Sequence, residues 1–194
     1  MSNKVGEIAI TQRKIDLLQM MNESCYRKGN FKLSSGKESE HYINCKNLTL
    51  SSTGLRMISQ LMYEMVEENS SAVAGLTLGA DPLVTSVAMT SWLDNTKRTK
   101  LDALIIRKEV KDHGTTSQIE GILPVQGCKI CVLEDVVTTG ESAMKAVRVL
   151  REAGYKVEQV LSIVDRQEND EADDLFEKEN IEFVSLFTLD DLSY

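Results

Sequence analysis

From residue 72 onward the chain alternates short apolar runs with stretches of helical periodicity, and this alternation constrains the fold more than any other feature. The apolar runs lie at Ala72 to Leu78, Leu101 to Arg107, Lys129 to Glu134, Val157 to Asp165 and Ile181 to Phe187. Helical stretches at Pro82 to Leu93 and Ser142 to Ala153 separate several of them. Runs such as ALII and ICVL are apolar at successive positions, so both faces of the strand need cover. A parallel sheet with helices on both sides supplies it, which predicts an α/β fold. In such a sheet ligands gather at the carboxyl ends of the strands, and the residues just after each run are the ones to read for chemistry.

Before residue 72 the pattern is less regular. Ile15, Leu18 and Met21 fall at helical spacing, and Gly29 offers a stop, which predicts a first helix. FKLSSGKESEHYINCK, residues 31 to 46, holds two extended pieces around a Ser/Gly turn, and SSTGLRMISQLMYEMVEEN is an amphipathic helix capped by Ser51 or Ser52. With 194 residues and neither an internal repeat nor a Pro-rich linker, the expectation is one domain over 1–194.

A formal net charge of -8 disfavours unspecific attraction to nucleic acid or to an anionic membrane, so an anionic substrate needs a local basic site. MSNKVGEIAITQRK lacks the apolar stretch of a signal peptide, and no later segment approaches the length that spans a bilayer, so the expected location is cytoplasmic. Cys128 and Cys131 have CxxC spacing, but they sit at the start of the apolar run GCKICVLED, where side chains three apart point to opposite faces. The only histidines are His41 and His113, a poor ligand supply for zinc. The four cysteines are read as small structural residues.

The chemistry concentrates in ICVLEDVVTTGESAMKAV, residues 130 to 147. An apolar strand ends in Glu134 and Asp135, passes Val136 and Val137, enters Thr138, Thr139, Gly140, Glu141 and Ser142, and then becomes a helix. Loop and helix amides, helped by the hydroxyls, can wrap a phosphate, while Gly140 permits close backbone approach. The two acids precede that cradle and are placed to accept hydrogen bonds from ribose hydroxyls. A second segment, LIIRKEVKDHGTTSQIEG, empties a strand into Arg107, Lys108, Lys111 and His113, a cationic lid able to close over a polyanion.

LEDVVTTGES resembles the phosphoribosyl pyrophosphate (PRPP) signature of type I phosphoribosyltransferases, and RKEVKDHG resembles the catalytic loop of orotate phosphoribosyltransferases in particular. The resemblance runs from about Phe31 to Arg166. It implies a type I phosphoribosyltransferase fold, a central mainly parallel sheet flanked by helices, with residues 1 to about 50 forming an N-terminal hood over the base pocket. It implies that residues Glu134 to Ser142 bind the sugar phosphate, that Asp135, Lys111 and His113 are catalytic, and that Arg107, Lys108, Lys111 and His113 contact the pyrophosphate of PRPP. Some of these cations would reach into the neighbouring subunit of a homodimer. Thr138, Tyr42 and Arg166 would meet orotate, the last with its planar fork on the carboxylate. Mg2+ would be held through PRPP and water, with no direct protein ligand. Ser34 and Gly79 stand where members of the family carry lysine. In GLTLGADPLVTSVA, the amides after a strand, with Pro82 in the first helical turn, offer a further pyrophosphate contact.

The implied reaction joins orotate to PRPP, giving orotidine 5'-monophosphate and pyrophosphate. Orotate attacks as an anion, which agrees with a chain that shows no Ser/His/Asp or Cys/His set. Two alternatives stay open from the residues alone. One is a phosphoribosyltransferase for another base. The other is a PRPP-sensing regulatory protein without turnover, which should carry a basic face or an added DNA-binding domain; the net charge of -8 and the complete cationic lid argue against it.

Overall fold

The computed structural model describes residues 2–32, 38–95, 100–109, 118–166 and 171–192. Its centre is a six-stranded sheet built from β3 (Ser70–Leu76), β4 (Asp102–Ile106), β5 (Ile119–Glu120), β6 (Lys129–Val137), β7 (Lys156–Asp165) and β8 (Glu182–Thr188), in the spatial order β5-β4-β3-β6-β7-β8. The β3–β4, β3–β6, β6–β7 and β7–β8 pairs are parallel, and β5 runs antiparallel to β4 at the edge. From β3 the chain crosses through α4 (Asp81–Leu93) to β4. From β6 it turns the other way, through α5 (Glu141–Glu152) to β7 and α6 (Glu171–Lys178) to β8. The order therefore reverses between β3 and β6, and the crevice at a reversal is where an open α/β sheet receives its ligand.

Period-2 alternation divides the sheet's side chains between two cores. Val73, Cys131, Leu133, Leu161 and Ile163 pack with α4 and with α3 (Ser52–Met65), whereas Ala72, Ala74, Ile130, Val132 and Val160 pack with the apolar faces of α5 and α6. Both faces are covered, as the unbroken apolar runs require.

The N-terminal segment comprises α1 (Ser2–Ser24), a two-stranded antiparallel hairpin of β1 (Tyr26–Lys32) and β2 (Glu38–Ile43), and the single turn α2 (Lys46–Thr49). Leu17, Met21, Cys25, Cys45 and Leu48 share one continuous core with α3 and with β8 and α7 (Leu189–Leu192), so this segment is fastened to the sheet rather than appended to it. Ser51 caps α3, its hydroxyl accepting the Gly54 amide at 3.4 Å. Among the described residues, no helix is long and apolar enough to cross a membrane.

Three local expectations change. α1 ends at Ser24, because Gly29 lies inside β1, and the residue that turns inward is Leu17 (0% exposed) while Ile15 is 54% exposed. β6 continues to Val137, three residues beyond the acid-pair start, because Val136 and Val137 pair with Val164 and Asp165 of β7. After the lid segment comes β5, whose pairing with Ile105 and Ile106 of β4 no apolar run announces. All four cysteines are free thiols, and burial pushes the Cys131 thiol well above its usual range, which makes it inert.

Candidate active site at the sheet reversal

The loops after β3 and β6 meet at the reversal. Glu134, only 6% exposed, closes the continuously buried stretch of β6, and the half-buried Asp135 follows it. Burial first, then the charge of Asp135, push the Glu134 carboxyl up to about 8, against a pull downward from Lys46.

Asp135 is held in one orientation. Its Oδ1 accepts the Val136 amide at 3.0 Å, its Oδ2 lies 3.3 Å from Lys46 Nζ, and the loop after β3 passes directly over it. A Cβ built on Gly79 would come within 2.6 Å of Asp135 Oδ1, so glycine is what lets the two loops close together. Any side chain at that position would meet the Asp135 carboxylate as the loops stand here. The adjoining Thr77–Leu78 peptide is cis.

Beyond the acids lies a small cavity of about 90 Å³, lined by Glu134, Val136, Val137, Thr138, Thr139, Gly140, Glu141, Ser142 and Ala143. Gly140 shapes it: at φ +78° it is the left-handed N-cap of α5, turning the chain from strand to helix within one residue. The positive end of the α5 dipole faces this cavity, and its first amides have no partner inside the helix. A group of phosphate size and charge matches the cavity in both respects. A larger groove of about 590 Å³ between α3 and α4, bounded by Arg13, Tyr63 and Leu93, lies away from the strand ends, whereas one of about 440 Å³ adjoins the phosphate-sized cavity at Thr139 and Glu141 and runs along α6.

On the neighbouring strand end, Arg166 is 5% exposed and donates from one amino group to Ser39 Oγ at 2.9 Å and to the His41 carbonyl at 3.1 Å. A guanidinium at the end of β7 thus anchors the β1–β2 hairpin above the sheet. Tyr42 lies on the opposite face of that hairpin: Ser39, His41 and Ile43 are the half-buried positions of β2, and Tyr42 is 42% exposed with its ring tilted against Phe31. The structure brings Arg166 together with Ser39 and His41, and does not bring Tyr42 to it.

The lid is described only at its base. Arg107 pairs with Glu120 of β5 at 3.5 Å, and Lys145 of α5 donates to the Lys108 carbonyl, so the lid springs from beside the helix that bounds the phosphate-sized cavity. Lys111, His113 and Ser34 lie outside the described residues. Two side chains here, Lys46 and Ser39, lie in the 31–46 segment with no spacing that marks them for a site, and tertiary proximity alone singles them out.

No protein-family model matches the chain. A curated orotate phosphoribosyltransferase of Thermosynechococcus vestitus is 50% identical over 177 residues, 91% of each chain. A crystal structure of a phosphoribosyltransferase from Corynebacterium diphtheriae superposes with a TM-score of 0.78 at 35% identity, covering 94% of this chain and 99% of that one. The Mycobacterium tuberculosis orotate phosphoribosyltransferase in complex with PRPP superposes with a TM-score of 0.73 at 31% identity, again over 94% and 99%. Identity at this level along nearly the whole length, together with the matching fold, shows the relationship: the chain belongs to the orotate phosphoribosyltransferase family.

Proposed function

We propose that this protein transfers the ribose 5-phosphate of PRPP to orotate, giving orotidine 5'-monophosphate and pyrophosphate, a step of pyrimidine nucleotide biosynthesis. The observation that carries the reading is the acid pair and phosphate-sized cavity at the end of β6, with a buried arginine one strand away. That spacing lets one crevice take a phosphorylated sugar and a carboxylated base side by side.

In this reading the amides and hydroxyls of residues 138–142 receive the 5-phosphate, with Val136 and Val137 as the floor, and Glu134 and Asp135 take the ribose hydroxyls. Glu134, protonated near neutral pH, can donate to a ribose oxygen while Asp135 accepts. The bond from the anomeric carbon to the pyrophosphate oxygen breaks, and a bond from that carbon to the orotate ring nitrogen forms. Charge on the leaving pyrophosphate is met by Arg107, Lys108, Lys111 and His113, and closure of the lid excludes hydrolytic water. Arg166 faces the orotate carboxylate, giving up hairpin contacts in exchange, and Thr138 borders the base. Tyr42 meets the base only if the β1–β2 hairpin of the hood over 1–50 reorients on binding.

Mg2+ would be held through PRPP and water, with no direct ligand from the acid pair, and would neutralise charge on the pyrophosphate. We further propose a cytoplasmic homodimer in which the lid of one subunit serves the site of the other. The decisive assay mixes the protein with PRPP, Mg2+ and, in turn, orotate, uracil, hypoxanthine and adenine. Pyrophosphate release with orotate alone is expected; release only with another base, or with none, would overturn the assignment.

A further inference from the structure

Between the hood and the acid pair stands a cation to which the sequence pattern alone assigns no role. Lys46 opens α2, directly after the buried Cys45, whose thiol lies 3.9 Å from the Asp135 carbonyl. The Lys46 amide is fixed by Asn44 Oδ1 at 3.2 Å, and α2 packs against α1 and α3, so the side chain leaves from a fastened point. Although 44% exposed, the side chain reaches inward and sets Nζ 3.3 Å from Asp135 Oδ2, across 89 residues of sequence. Its partner is 15% exposed, with Oδ1 already committed to the Val136 amide and Gly79 closing the side above. The carboxylate is thus confined from three directions, and Lys46 is the one confining group that comes from the hood.

We infer that Lys46 is a positioning residue: it holds the Asp135 carboxylate in the orientation that receives the ribose hydroxyls of PRPP, and so makes the junction between hood and sheet part of the sugar site. The charged and titratable groups around it are Glu134 and Asp135 of β6 and the thiol of Cys45. Two neighbouring acids alone repel each other and an incoming polyanion; the ammonium offsets that repulsion at the carboxylate facing the sugar. An exposed lysine with no task would gain little from this contact, since surface ion pairs contribute about 0–1 kcal/mol. Its worth lies in preorganising a ligand for the substrate.

This inference rests on the reading that the acid pair takes the ribose. The test compares wild type with Lys46→Met, Lys46→Gln, Lys46→Arg, Asp135→Asn and the double variant K46M/D135N, by calorimetric titration with PRPP and Mg2+ and by steady-state kinetics. Lys46→Met and Lys46→Gln should raise both Kd and KM for PRPP roughly tenfold while kcat changes less than threefold. Lys46→Arg should return to within about threefold of wild type, and in the D135N background K46M should add less than about twofold. PRPP affinity within about twofold of wild type in both neutral variants overturns the inference while leaving the enzyme assignment standing. An effect as large with D135N as without it also overturns it, because Lys46 would then act on the ligand directly. If wild type itself fails to bind PRPP, both readings fall together.

Discussion

Replacing Gly140 with alanine should separate the backbone's share of the phosphate site from the side chains' share. At φ +78° an L-residue is strained by about 1–2 kcal/mol. The new Cβ would also sit 3.0 Å from Phe176 Cζ and 3.3 Å from its Cε2, and Phe176 is 1% exposed in the core beneath α6 with little room to retreat. Overpacking of this kind costs about 1–3 kcal/mol. Together these give a loss of about 2–5 kcal/mol, within the range a domain of this size can lose and still fold. The assay is urea unfolding of G140A, F176L and the double variant, with PRPP titration of each folded protein. Shortening Phe176 removes the steric share, so G140A should cost only about 1–2 kcal/mol in the F176L background. PRPP affinity should still fall in both backgrounds, because the turn that aims the α5 amides is distorted in either. A G140A protein within about 0.5 kcal/mol of wild type and with unchanged PRPP affinity would refute the account of how this turn builds the cavity.

Lys111→Ala should lower turnover by roughly a hundredfold or more while PRPP binding survives, since a cation aimed at a leaving group acts mainly in the transition state; wild-type turnover would remove Lys111 from the mechanism. Arg166→Met should raise KM for orotate by about ten- to a hundredfold, the worth of a charge-assisted contact, with PRPP affinity within about threefold; an unchanged orotate KM would reduce Arg166 to an anchor for the hairpin. Glu134 should also leave a signature in stability. Its folded value of about 8 lies above the ordinary 4.5, so between these the unfolded chain has released a proton that the folded chain keeps. Stability from this group is therefore full below about 4.5 and declines as pH rises through about 8. Glu134→Gln should flatten the fall in melting temperature across that window, and an equally steep fall in the variant would assign the slope elsewhere.

Much of this architecture is legible in the linear chain because its signals are local. Doubly buried strands are rich in successive apolar residues, so β3, β4, β6, β7 and β8 are visible as runs, and the acid pair, the threonines and Gly140 stand together in seven residues because one strand-to-helix turn needs all of them. The same locality makes Arg166 legible as a cation at a strand end.

What the tertiary structure alone decided is which distant segments converge. Strand order places β3 beside β6 rather than beside its sequence neighbours only, and that adjacency puts Gly79 over Asp135. The twist of one hairpin settles that Ser39 and His41, not Tyr42, face Arg166, because a strand shows alternate residues to opposite sides and nothing in SEHY says which side is inward. Lys46 meets Asp135 across 89 positions through a contact that carries no compositional trace. Periodicity records the environment of each segment, whereas a binding site is made of distances between segments, and those exist only once the chain has closed on itself.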